Sequence, residues 1–249
     1  MTEVSSKTKV ISSIIIGVSI ILTAYVFMKG YKERNAKADV INVTGMGSKD
    51  FDSDLIVWRG SFSKMNINLQ SAMADLETDR NKIKGYLVGK GISEANIVFS
   101  AIDINKDFDE IRNENGYVVS SIFRGYSLGQ TVTIESNEVD KVEQISREVS
   151  ELINSGVEFY SDAPEFYYTK LAELKIQMVS EATADARVRA EKIAESAGSK
   201  LGDLKSADMG IFQIVGQNSN EDYSWGGTFN TSSRKKTASI TMTLTFNID

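Results

Sequence analysis

Carboxylates are the residues of this chain best suited to chemistry, because most alternatives are missing. Among its 249 residues there is no His and no Cys. That removes the usual general base near neutral pH, the commonest zinc ligand and any Ser–His or Cys–His nucleophile pair. It also removes disulfides and thiol redox chemistry. Two carboxyl groups with separated pKa values can still act as acid and base. Asp103, Asp107, Asp109 and Glu110 cluster in and beside one acidic stretch, and Glu221 and Asp222 sit in another. The first group also offers hard oxygen ligands of the kind calcium takes, but its spacing does not match an EF-hand loop. Solvated acidic loops are far commoner than carboxylate catalysts. The expectation is therefore no catalytic residue, no metal ligand and no cofactor. Arg187 and Arg189 could hold an anion, yet their helical spacing to nearby acids fits surface ion pairs better. Gly45-Met46-Gly47 lacks the third glycine, the following helix and the Lys-Ser/Thr pair of a phosphate loop. A turn between strands is expected there.

The other candidate is a surface for partners. Residues 216–236 read GQNSNEDYSWGGTFNTSSRKK, a long polar stretch carrying Tyr223, Trp225 and Phe229. A loop of that length in a compact domain is either mobile or used. Exposed Tyr and Trp are enriched where proteins meet partners. These three are the expected partner contacts.

The elements that would position such residues follow from periodicity. A short strand, Val40–Val43, precedes the glycines. Residues 55–67 alternate, with Ile56, Trp58, Gly60 and Phe62 on one face. Residues 69–89 carry an apolar helical stripe at 69, 73, 76, 83 and 87, ended by Gly89 and Gly91. Residues 97–104 read as a strand, 105–116 as an acidic turn-like segment, and 118–134 as a long strand. A second helix is expected over 138–153 and an aromatic strand over 156–168. A third, Ala-rich helix is expected over 168–197, stopped by Gly198 and Gly202. A strand over 204–215 and strict alternation from Ile240 to Ile248 complete the chain. The order strand–helix–strand–strand–helix–strand is that of a ferredoxin-like split β-α-β unit. The expected class is α+β: an antiparallel sheet with helices packed on one face, plus a further long helix and C-terminal strands.

Ahead of the domain lies Val10–Met28, nineteen residues without a charge. As a helix it spans roughly 28 Å, close to the ~30 Å of a bilayer core. Residues 1–9 are then a short tail, 10–28 a transmembrane anchor, 29–39 a charged linker and 40–249 the domain. The run is longer than a secretory signal's apolar region, and the nearest small-x-small triplet, Ala36-Lys37-Ala38, lies well beyond it. An uncleaved anchor is expected, with a cleaved signal as the alternative. Residues 1–38 carry six Lys/Arg and two Asp/Glu, and the remainder 22 and 32. The acidic domain repels nucleic acid, while the basic flanks suit anionic headgroups. The flanking charges lean slightly toward a cytoplasmic C-terminal side.

Several spaced segments resemble the SIMPL-domain family, which includes the bacterial oxidative stress defence protein and a periplasmic immunogenic protein. They are Val43-Thr44-Gly45-Met46-Gly47 with Asp54; Gly91-Ile92 followed by Ile97; Gly125-Tyr126 leading into Thr131–Ile134; and Ala182, Asp185, Ala186, Arg187, Ala190, Glu191, Ile193, Ala194, Gly198, Leu201 and Gly202. Ser53 stands where the family often has Pro, and the 216–236 loop is longer than typical. The resemblance implies a bacterial cell-envelope protein, exported or anchored, on the periplasmic side of the inner membrane. It implies an α+β fold, large homo-oligomers in some members and a link to stress response, with no established catalytic residues. The expected function is a non-enzymatic, membrane-anchored protein that self-assembles. A binding module for an envelope ligand or partner, using the aromatic loop, is the alternative, and a carboxylate-dependent hydrolase the third reading.

Overall fold

The computed structural model describes residues 6–35, 39–222 and 224–248. The apolar run lies in helix α1 (Ser6–Asn35), whose segment Val10–Tyr31 is long and apolar enough to cross a membrane. Its mean hydropathy is high because Ile, Val, Leu and Phe occur all round the helix, as in a helix facing lipid rather than one with a polar side.

Strand β1 (Val40–Asp52) does not pair with its sequence neighbour, β2 (Leu55–Asn66). It pairs antiparallel with the C-terminal strand β10 (Lys235–Ile248), in register from Val40 opposite Asn247 to Asp52 opposite Lys235. The other edge of β10 takes β8 (Leu201–Met209) and β9 (Gln213–Gly216). Between β1 and these last strands the chain builds a second antiparallel sheet. It contains β2, β3 (Ile97–Phe99), β4 (Asp103–Arg112), β5 (Val118–Ser136), β6 (Phe159–Ser161) and β7 (Glu165–Tyr167). Its central order is β3-β5-β2-β6, with β4 continuing along the edge of β5 and β7 pairing with β2. The expected single sheet is thus corrected to two. The pairing of β1 is settled by β10, nearly two hundred residues away.

Helices cover one face of each sheet. Helix α2 (Leu69–Gly89) starts at Asn68, whose side chain accepts from the Gln70 and Ser71 N–H groups. That satisfies two of the orphan donors at a helix start. Together with α3 (Val139–Glu148) it packs Leu76, Ile83, Leu87, Val142 and Ile145 onto Ile56, Trp58, Phe62, Leu128, Val132 and Ile134. The long helix α4 (Leu171–Ser196) covers the other sheet. The expected helix over 138–153 divides into α3 and a 3-10 segment, Val149–Ser155, which Gly156 ends in the left-handed region. The expected strand over 204–215 breaks between β8 and β9, and the aromatic strand over 156–168 is two short pieces. Tyr160 is exposed, Phe166 is buried, and Phe159 packs against Trp58.

The acidic stretch expected as a turn is mostly strand. β4 and β5 form a long hairpin, Asp103 opposite Gly129 through Arg112 opposite Val118, closed by Asn113–Gly116. β2 pairs with β5 only from Tyr126 onward. Beyond that point the hairpin runs on as a two-stranded ribbon.

The two sheets meet at a junction held by named groups. Asp54 accepts from the Thr169 N–H at 2.7 Å and its hydroxyl at 2.8 Å. Phe51 and Tyr168 stack at 4.7 Å, and Arg234 Nη1 reaches Asp140 at 2.5 Å and Glu143 at 3.2 Å.

Candidate functional site

The expected partner loop is a folded structure and not a loose strap. Gln213, at the start of β9, donates from Nε2 to the Ser224 carbonyl and accepts from the Thr228 N–H, both at 2.7 Å. Gly227 closes a tight turn onto the Ser224 carbonyl, with its backbone in the left-handed region. The Ile214 N–H donates to Thr228 and the Asn230 N–H to Ile214. Two strand-like contacts thereby tie residues 228–230 to β9.

Below this turn lies a buried polar cluster. Lys236 is 1% exposed, and its Nζ donates to the Asn230 carbonyl at 2.5 Å and to Asn230 Oδ1 at 3.3 Å. Glu221 accepts from the Gly216 N–H at 3.1 Å and from the Asn230 amide. Burial pulls the Lys236 ammonium down to about 8 from its ordinary 10.5, against the opposing pull of the Glu221 carboxylate. Lys236, Asn230 and Glu221 thus clamp the two ends of the loop together. Sequence reasoning missed this clamp. The signal was present: Lys236 continues the alternation of Ala238, Ile240, Met242 and Leu244 by one more step, which places it on the buried face of β10.

The ring of Trp225 stands 96% exposed at the apex of this loop, and Phe229 is about half exposed at its return. The structure brings these two expected contacts onto one loop. The third, Tyr223, lies outside the described residues. Beside Trp225 a cavity of ≈ 580 Å³ opens along the sheet.

The carboxylates do not converge. Asp103, Asp107, Asp109 and Glu110 are strung along the exposed ribbon, where Asp109 pairs with Arg124 at 3.2 Å and Glu110 with Arg112. Glu221 belongs to the clamp, and the Asp222 carbonyl accepts from Thr228. No group of three or more metal-ligating side chains occurs among the described residues. Arg187 and Arg189 pair along α4 with Glu191 at 2.9 Å and Asp185 at 3.0 Å, as helical spacing predicts.

The glycine pair is corrected. Gly45 and Gly47 lie inside β1, not in a turn, and face α4. A Cβ on Gly45 would stand 2.3 Å from the Ala182 carbonyl and the Ala186 nitrogen. The backbones touch because α4 presents Ala182, Ala186, Ala190 and Ala194, all buried, at four-residue spacing. Asp185, on the same helix, accepts from the Met46 N–H at 2.9 Å on the open edge of β1. This bond and the Arg189 pair hold its carboxyl below the usual range.

Two antiparallel sheets, each backed by helices on one face and preceded by an apolar helix, define an α+β protein. The profile of the SIMPL family, described as "Protein of unknown function (DUF541)", matches residues 41–246, and the chain belongs to that family. No curated protein matches it. The residues that carry the resemblance prove to be architectural: glycines under a helix, an alanine stripe, and carboxylates that bind backbone N–H groups.

Proposed function

We propose that this chain is a non-enzymatic, membrane-anchored envelope protein that self-assembles through its projecting β4–β5 ribbon. The observation that carries the reading is the apolar exposure of that ribbon. Ile104, Phe108, Ile111, Tyr117, Val118, Val119 and Ile122 are each about half exposed or more. An isolated two-stranded ribbon is marginal in water. Seven such side chains come to several hundred Å², the order of the roughly 800 Å² each partner gives to a standard interface. Acidic residues interleave with them, which disfavours insertion into an anionic membrane surface and favours another protein surface. α1 supports the reading by concentrating copies in two dimensions. The extracytoplasmic, periplasmic-side address follows the family resemblance over the weak bias of the flanking charges. The order β3-β5-β2-β6, with α2 and α3 on one face, supports reading residues 55–161 as the ferredoxin-like split unit.

The full chain in detergent, measured by size-exclusion chromatography with light scattering, is expected to run as an oligomer. The combined change Phe108→Ser, Val119→Ser and Ile122→Ser should reduce it to a monomer with unchanged circular dichroism. A strict monomer at high concentration for the unmodified chain would sink the reading.

A second reading, a binding face on the aromatic loop, is favoured by one observation. Trp225 is fully exposed, yet the turn that carries it is held by several hydrogen bonds.

A further inference from the structure

The cavity beside Trp225 has a composition that selects among ligands. It lies on the face of the sheet opposite α4. Gly45 and Gly47 point to that helix, so Met46 points away, as do its cross-strand partner Thr241 and Ser239, the partner of Ser48. The floor is therefore Met46, Ser239 and Thr241; Ile211 and Trp225 form the rim. No charged side chain lines it. The same face continues as a row of hydroxyls, with Thr243 beside Thr44 and Thr245 beyond.

Three features constrain the occupant. Trp225 offers a broad apolar face that costs little to order, because its turn is already fixed through Gln213. The Ser239 and Thr241 hydroxyls make no hydrogen bond within the described residues, and each can both donate and accept. A charged ligand would lose hydration here with no counter-charge to replace it. The strongly acidic domain adds a further penalty for anions. A purely apolar ligand would cover the two hydroxyls and leave them unpaired, which costs binding energy. What remains is a neutral molecule with an apolar face and a rim of hydroxyls. A pyranose ring has that form: its axial C–H groups make an apolar face, and its equatorial hydroxyls point outward in the ring plane. The volume of ≈ 580 Å³ accommodates a short oligosaccharide.

We propose that this cavity is a binding site for a neutral saccharide, whose ring stacks on Trp225 while its hydroxyls bond to Ser239 and Thr241. The proposal rests on the second reading above, that the aromatic loop is a binding face, and supplies its ligand class. The row of threonines gives an extended glycan further hydroxyls along the sheet.

Fluorescence tests it directly in the full-length protein in detergent. The chain has two tryptophans; Trp58 is fully buried, so a change in the exposed emission reports Trp225. Tetra-N-acetylchitotetraose and cellotetraose serve as neutral saccharide probes, and N-phenyl-1-naphthylamine as a neutral apolar probe. The expected result is a saturable blue shift with at least one saccharide. Ser239→Ala with Thr241→Val should weaken it at least tenfold. Binding followed by calorimetry should be lost in Trp225→Ala, a substitution that an exposed side chain leaves free of folding cost. Saccharide binding that survives Trp225→Ala overturns the site. Emission that answers to the apolar probe and to no saccharide overturns the ligand class and leaves the loop as an apolar docking face. Emission that answers to neither overturns both the ligand class and the binding face.

Discussion

The two sheets of this protein are covered by helices in opposite ways. Under α2 and α3 the filling is large: Trp58, Phe62, Leu76, Ile83, Leu87 and Leu128 are all essentially buried. Under α4 the helix presents four buried alanines, and where Gly45 and Gly47 of β1 meet it backbone approaches backbone, with Ile240, Leu244 and Phe246 of β10 filling the rest. The first contact depends on volume, the second on its absence. Dispersion and burial scale with the atoms brought together, so the large-residue core carries more stabilisation per residue. The small-residue contact instead sets distance: it fixes how closely α4 lies on β1 and β10. It therefore fixes the sheet that carries the cavity and the clamped loop.

Trp58→Ala gives the largest expected effect. It empties a fully buried site and removes the hydrogen bond that Trp58 Nε1 donates to the Ser161 hydroxyl at 3.0 Å. A loss of about 3–5 kcal/mol in a urea titration is expected. A loss below about 1 kcal/mol would break the contrast, because the large core would then be tolerant of truncation.

Next is the opposite change in the other core. Gly45→Ala adds one methyl against the α4 backbone and should cost about 1–3 kcal/mol by overpacking. Gly85 supplies the control: it lies in α2 with nothing near its missing Cβ. Gly85→Ala should stabilise the protein by about 0.5–1 kcal/mol through helix propensity. The same substitution thus has opposite signs in the two halves. Equal effects at the two positions would refute the close-approach account.

The last effect concerns the clamp and is read as a slope with pH. The unfolded lysine keeps its proton to about 10.5, whereas Lys236 in the fold releases it at about 8. Between those values the unfolded chain binds more protons, so rising pH favours the folded state. Urea midpoints of the unmodified chain, compared with Lys236→Met, should gain on the variant from pH 8 to 10.5 and stay level below pH 8. A difference independent of pH would mean that the ammonium is solvated and not held in the clamp.

Much of this was legible beforehand, and the misses have common causes. The apolar faces of β2, α3 and the end of β10 are legible directly, since each buries one face and leaves the matching period; of the α2 stripe, Leu76, Ile83 and Leu87 are buried while Leu69 and Met73 are exposed. The acidic segment 105–116 reads as turn-like because neither face of the ribbon is buried, so no period marks it; residues 105–112 become strand only by pairing with β5. Gly45 and Gly47 were read as a turn because glycine alone does not reveal whether it serves a bend or a close neighbour. Trp225 and Phe229 were recognised by type, but the groups that hold the loop were not. Gln213, Glu221, Asn230 and Lys236 are ordinary polar residues until the two ends of the loop meet.

By itself the sequence determined the apolar helix, the absence of His and Cys chemistry, and most of the elements. These are local properties: composition, and burial on one face, which writes its own period into the chain. Only the tertiary structure decided that β1 joins β10, that there are two sheets, and that glycine and alanine mesh beneath α4. It alone stood Trp225 over a hydroxyl-lined cavity. Those are choices of long-range partner, made by complementary surfaces far apart in the chain, and no local window contains both sides of such a choice.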